Sequence, residues 1–164
     1  MIIKEKYTKT AKLNKLSGSI VFFAKKNSEI KNINNLLTTS ETNLFKKNLK
    51  NNTKKKEIFS FDINYNQKII IYTLKNEKDT YEKNGAKLLQ YFKNENLNKI
   101  HIFADTIENS NNIKCLHEFI HGMKLKSYSF EKYLTKKDSR ILDINVISKK
   151  KVEIKLIKKL NSIE

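Results

Sequence analysis

A chain of 164 residues has the length of one domain and can bury a core of its own. Its apolar share of 38%, with 10% aromatic residues, excludes a disordered chain, and no apolar run approaches a membrane span. The net charge of +17 is almost all lysine, with Arg140 the only arginine, so specific base and phosphate reading by guanidinium forks is disfavoured; non-specific contact with nucleic acid at low salt remains compatible with the charge. Residues 1–17, rich in Lys and Thr, read as an early edge strand or a loose lead-in. Ser19 to Ala24 is a short apolar run after Gly18 and predicts a buried strand. Ser40 is placed to cap a short helix through Leu49, with Leu44, Phe45 and Leu49 on one side, and Lys47 to Lys56 reads as a basic loop.

Glu57 to Asn64 alternates with period two and predicts a strand. A turn at Asn64 to Gln67 then leads to an antiparallel partner strand over Lys68 to Leu74. Glu77 to Asn94 predicts a helix, with Tyr81, Gly85, Leu88, Leu89 and Phe92 on one face. Gly85 lowers helix propensity, so it is expected to permit close approach to the sheet. Lys99 to Ala104 is a strand, Ile113 to Met123 a helix, and Arg140 to Ser148 a last strand with Leu142, Ile144 and Val146 on one side. Strands interleaved with helices give an α/β fold, a mixed β-sheet flanked by helices. Residues 1–151 form this domain; in 152–164, Leu156, Leu160 and Ile163 begin an amphipathic helix. The lone Cys115 cannot form an internal disulfide, and the N-terminus lacks a secretory apolar core, so the expected compartment is the cytoplasm, without a membrane.

His117-Glu118-Phe119-Ile120-His121 matches the H-E-x-x-H zinc-peptidase pattern, in which two imidazoles one turn apart share Zn²⁺ and the glutamate activates water. A third ligand is not supplied at a convincing spacing: Glu131, Asp138, Asp143 and Glu153 are scattered over loop, strand and tail. The apolar stripe Ile113, Leu116, Ile120 and Met123 is centred away from His117 and His121. Both imidazoles are therefore expected on a solvated basic rim beside Lys114 and Lys124, and a metal site of His117, Glu118 and His121 is the alternative to that reading. The three glycines are isolated, so no phosphate-cradling loop is present.

Gly122, Leu125, Tyr128, Phe130 and Tyr133, followed by Thr135-Lys136-Lys137, form a helix exit ending in a Tyr-x-Phe-x-x-Tyr run. With the strand Lys68–Leu74, the segment Asn84-Gly85-Ala86-Lys87-Leu88-Leu89 and the strand Lys99–Ala104, this order resembles the N-terminal, non-catalytic domain of the leucyl (cytosol) aminopeptidase family over about residues 17–164. The resemblance departs at Thr73-Leu74-Lys75, where the family often has Gly-Leu-Gly, and at His121, where it commonly has a small or acidic residue. It implies a macro-domain-like fold, no catalytic or cofactor-binding residue in this chain, and Tyr128, Phe130 and Tyr133 as core. It also implies a linker helix over 152–164 leading to a catalytic domain absent from this sequence, where two divalent metal ions (Zn or Mn) would cleave N-terminal residues from peptides. The implied partners are that catalytic domain and further copies in a cytoplasmic hexamer, with a peptide as substrate of the whole enzyme. The rival classes are a Lys-rich nucleic-acid-binding domain and a small zinc peptidase.

Overall fold

The structure, a computed structural model, describes residues 1–24, 30, 33, 37–52, 56–74, 80–107, 112–128 and 140–149. Each apolar run of the sequence becomes a strand: β1 (Ile2–Thr8), β2 (Gly18–Ala24), β3 (Ile58–Asn64), β4 (Gln67–Thr73), β5 (Lys99–Phe103) and β6 (Ile141–Ile147). The helices are α1 (Thr39–Asn52), α2 (Tyr81–Asn94) and α3 (Asn112–Ser127). The six strands make one sheet in the order β1-β6-β5-β2-β4-β3. All neighbours are parallel except β3 and β4, the expected antiparallel pair. Asn64 closes their turn by accepting the Asn66 amide on Oδ1 at 3.0 Å.

β2 and β4 lie inside the sheet and are buried on both faces, which is why they read as unbroken apolar runs rather than alternating ones. Val21, Phe23, Ile70, Tyr72, Ile100 and Ile102 meet α2 and α3 on one face. Ile20, Phe22, Ile69, Ile71 and Phe103 meet Phe45 and Leu49 of α1 on the other. This two-sided core is the α/β architecture expected from the pattern, a mixed sheet flanked by helices, and the macro-domain-like fold that the resemblance implied. β1 and β3 are the edges, and the early segment is a true edge strand, in register with β6 from Ile2↔Ile141 to Thr8↔Ile147.

Three local expectations need correction. The N-terminus of α1 is held by Thr38 rather than Ser40: Glu41 Oε2 accepts from the Thr38 amide at 2.9 Å while Thr38 Oγ1 accepts from the Glu41 amide at 3.4 Å. This reciprocal box outcompetes a lone serine. The helix also runs on to Asn52, so 47–52 is not loop, and Leu44 is exposed beside buried Phe45 and Leu49. Gly85 does not face the sheet. A Cβ there would overlap the carbonyl of Phe119 on α3, and a Cβ on Gly122 would overlap the carbonyl of Glu82 on α2. The two glycines form a reciprocal notch in which the helix backbones touch. α2 begins at Tyr81 behind the extended Thr80, whose side chain accepts from the Lys83 amide at 3.3 Å, so Thr80 is cap rather than helix; residues 77–79, also expected in the helix, lie outside the described residues.

The third correction concerns the aromatic run at the exit of α3. Tyr128 is 62% exposed and is not core. Phe130, Tyr133 and Thr135–Lys137 lie outside the described residues, as does the tail with Leu156, Ile157, Leu160 and Ile163 and the boundary at 151/152. No helix among the described residues is long and apolar enough to cross a membrane.

Candidate functional site

The H-E-x-x-H segment sits in the middle of α3, and its two histidines differ from the solvated pair expected. His117 is only 5% exposed, and neither ring nitrogen has a hydrogen-bond partner among the described residues. The cause is the packing of α3 on β1 as well as on α2: its buried arc takes in Cys115, Leu116, His117, Phe119, Ile120, Gly122 and Met123. That arc is wider than the apolar stripe alone. Burial holds the His117 imidazole below its usual pKa, opposed by the charge of Glu5 on β1. His121 points elsewhere: its Nδ1 is hydrogen bonded to Glu82 on α2. Glu118 is only half-buried. The two imidazoles therefore answer to different elements, β1 and α2.

Around His117 lies a polar cluster under α3 that no sequence motif announced. Lys124 Nζ donates to Glu5 Oε1 at 3.1 Å, with side chains 17% and 9% exposed. Glu5 Oε2 and the Tyr7 hydroxyl are buried without a hydrogen-bond partner. Burial first, then the Glu5 charge, pushes the Tyr7 phenol well above its ordinary value, so it stays protonated. The only signal in the sequence was the alternation of β1, which puts Ile3, Glu5 and Tyr7 on one face.

Sheets of this kind bind ligands outside the carboxyl ends of their strands, where the connections diverge to opposite faces. Here β2 leads to α1 on one face, while β4 and β5 lead to α2 and α3 on the other. At that edge Thr106 Oγ1 accepts from the Phe23 amide at 3.0 Å and donates to the Phe103 carbonyl at 2.6 Å. Asp105 accepts from Ser148 Oγ at 2.8 Å and from the Lys149 amide at 3.0 Å. These bonds tie β2, β5 and β6 together and occupy the Asp105 carboxylate; Glu57, beside the end of β4, is paired with Lys87 at 3.3 Å. The Thr73 hydroxyl at the end of β4 is buried without a hydrogen-bond partner. None of the three glycines is at this edge: Gly18 opens β2 with φ 103°, and Gly85 and Gly122 form the helix notch. Among the described residues no three His, Cys, Asp or Glu side chains come together as a cation cage.

The fold and this edge define a macro-domain-like α/β domain. Neither a protein-family model nor a curated protein matches the sequence. Among solved structures, the chain superposes on a tomato leucine aminopeptidase mutant with a TM-score of 0.67 and 12% identity, over 97% of this chain and 35% of that one. It also superposes on the macrodomain of Thermus aquaticus DarG with a TM-score of 0.58 and 8% identity, over 89% of this chain and 99% of that one. At such identities the likeness is one of fold. The chain spans about a third of the aminopeptidase chain it matches.

Proposed function

We propose that this chain is the N-terminal, non-catalytic domain of a leucyl aminopeptidase-type enzyme. The observation that supports this best is the extent of the superposition, nearly the whole of this chain on about a third of an aminopeptidase chain. In this reading the metal-dependent release of N-terminal amino acids belongs to a following catalytic domain carrying two divalent cations. The present domain packs on that domain, shapes peptide access to it and supports assembly into a cytoplasmic hexamer. A macrodomain that binds its ligand through a glycine-rich loop is disfavoured, because all three glycines serve strand entry or helix contact.

The test is made in cells that carry the gene. An antibody raised against this chain should detect a polypeptide much longer than 164 residues, and the material it captures should hydrolyse leucine amide after Zn²⁺ or Mn²⁺ is added. The purified 164-residue chain should hydrolyse none with Zn²⁺, Mn²⁺ or Co²⁺. Detection of a 164-residue product alone, without peptidase activity, overturns the proposal. Hydrolysis by the short chain that disappears in Glu118→Gln replaces it with the zinc-peptidase reading.

A further inference from the structure

Half of one sheet face carries no helix among the described residues, and its side chains form ordered rows. Register places Lys4 and Lys99 on either side of Asp143, and Lys6 and His101 on either side of Asn145. The rows thus read Lys–Asp–Lys and Lys–Asn–His across β1, β6 and β5. They line a pocket of about 270 Å³ on the face opposite α2 and α3. β1 and β2 are parallel but not adjacent, and the chain between them crosses on this face, where Leu13 and Leu16 pack.

The floor is built. His101, 4% exposed, makes its Nε2 bond to the Ser17 carbonyl at 3.0 Å, and Asn145 Nδ2 lies 3.3 Å from His101 Nδ1. Asn145 Oδ1 accepts from Thr8 Oγ1 at 3.1 Å. This chain of bonds requires a neutral imidazole with its proton on Nε2. Burial, together with the Lys99 and Lys6 charges, lowers its pKa against the pull of the Ser17 carbonyl, which agrees. It also orients Asn145, whose second amide hydrogen has no acceptor among the described residues. On the rim, Lys99 Nζ donates to Ser17 Oγ at 2.8 Å, while neither Lys4 nor Lys6 has an ion-pair partner among the described residues.

We propose that this pocket binds a phosphate monoester of a small organic group, with the phosphate seated over Asn145 between Lys4, Lys6 and Lys99. Glu5 also borders the pocket, but its carboxylate is paired with Lys124 of α3 on the other face; three ammonium groups against the carboxylate of Asp143 then leave two positive charges, which match the charge of about −1.5 to −2 on a phosphate monoester better than the single charge of a carboxylate. The volume falls below the roughly 300–1,000 Å³ of pockets for drug-sized ligands, so the organic group is small. Strands of nucleic acid are held on aromatic stacking platforms; the pocket has no Phe, Tyr or Trp, and the His101 ring is buried. The site is separate from the carboxyl edge and from any aminopeptidase chemistry, so it stands or falls independently of the proposed function.

The full chain, labelled with ¹⁵N, is titrated at constant ionic strength with glycerol 3-phosphate, inorganic phosphate, acetate and a thymidine oligonucleotide. Glycerol 3-phosphate should give saturable shifts of the Asn145 side-chain amide and of the backbone amides of Lys4 to Lys6 and Lys99 to His101. Inorganic phosphate should shift the same residues more weakly, and acetate should not saturate. Lys4→Gln and Lys6→Gln, both at exposed positions, should each weaken binding about tenfold, the effect of one lost charge-assisted contact. Lys46→Gln on α1 should leave binding unchanged. Drift spread over many lysines without saturation, an equal loss in Lys46→Gln, or tighter binding of the oligonucleotide at these residues overturns the proposal.

Discussion

Gly85→Ala tests the helix notch, and the competing terms can be set against each other. In an isolated helix the substitution stabilises by about 1 kcal/mol, because alanine is the better helix former. In this fold the new methyl group overlaps the Phe119 carbonyl, with the carbonyl carbon 2.9 Å and the Met123 amide nitrogen 3.2 Å away. These are backbone atoms and cannot rotate aside. The helices must part or slide by a distance comparable with a carbon–carbon bond, taking Phe119 off Phe23 and Tyr72, whose rings it meets at 5.2 and 6.0 Å. Overpacking of this kind costs about 3 kcal/mol or more. The net expectation is a loss of about 2 kcal/mol, or about 4–8 °C in melting temperature for a chain of this size. Urea unfolding should show a lower midpoint with an unchanged slope. Gly122→Ala should behave alike, and the double variant should lose less than the sum, because the first methyl already opens the space the second needs. A rise in melting temperature for Gly85→Ala, or full additivity, would refute the notch.

His117→Phe should raise stability, since it keeps the ring and removes two buried nitrogens, each costing about 1–3 kcal/mol when unpaired; thermal melts at pH 8 check this. The folded pKa values of His101 and His117 lie below the usual 6.5, so the unfolded chain takes up protons first as pH falls. Their contribution is complete above pH 6.5 and is lost as pH falls below it, and His117→Phe should flatten that decline in a pH series of urea melts. Lys124→Met should cost about 3 kcal/mol by leaving the Glu5 carboxylate buried opposite an apolar chain, and Glu5→Leu in the same chain should restore most of it. Tyr128→Ala should change stability by no more than about 0.5 kcal/mol, measured by the same melts.

The elements themselves were legible because each obeys a local rule: apolar runs became β2 and β4, alternation became β3 and the helical stripe became α2. Their neighbours were not. Gly85 signalled a close approach, but its partner was another helix, and a stripe on one helix carries no address for what covers it. His117 was misplaced for the same reason, since β1, which covers that side of α3, leaves no mark in the helix's own stripe. Tyr128 was placed in the core by resemblance rather than by its position, and in a helix exit an aromatic ring has no period to fix its direction. The rows of lysine around Asp143 and Asn145 became visible only when register set β5, β6 and β1 side by side.

The strand order has a consequence for how the chain is made. β6, the last strand described, lies between β1, the first, and β5. Ile2 can find no mate until Ile141 has been synthesised, on the order of ten seconds later at ordinary elongation rates. For that interval the N-terminal strand is a free peptide, and β5 shows an unpaired border to whatever strand the cell offers first. A product truncated just before Arg140 would therefore lose two strands rather than one. An N-terminal fusion that tethers Ile2–Thr8 would act on the final step of folding, not on its beginning.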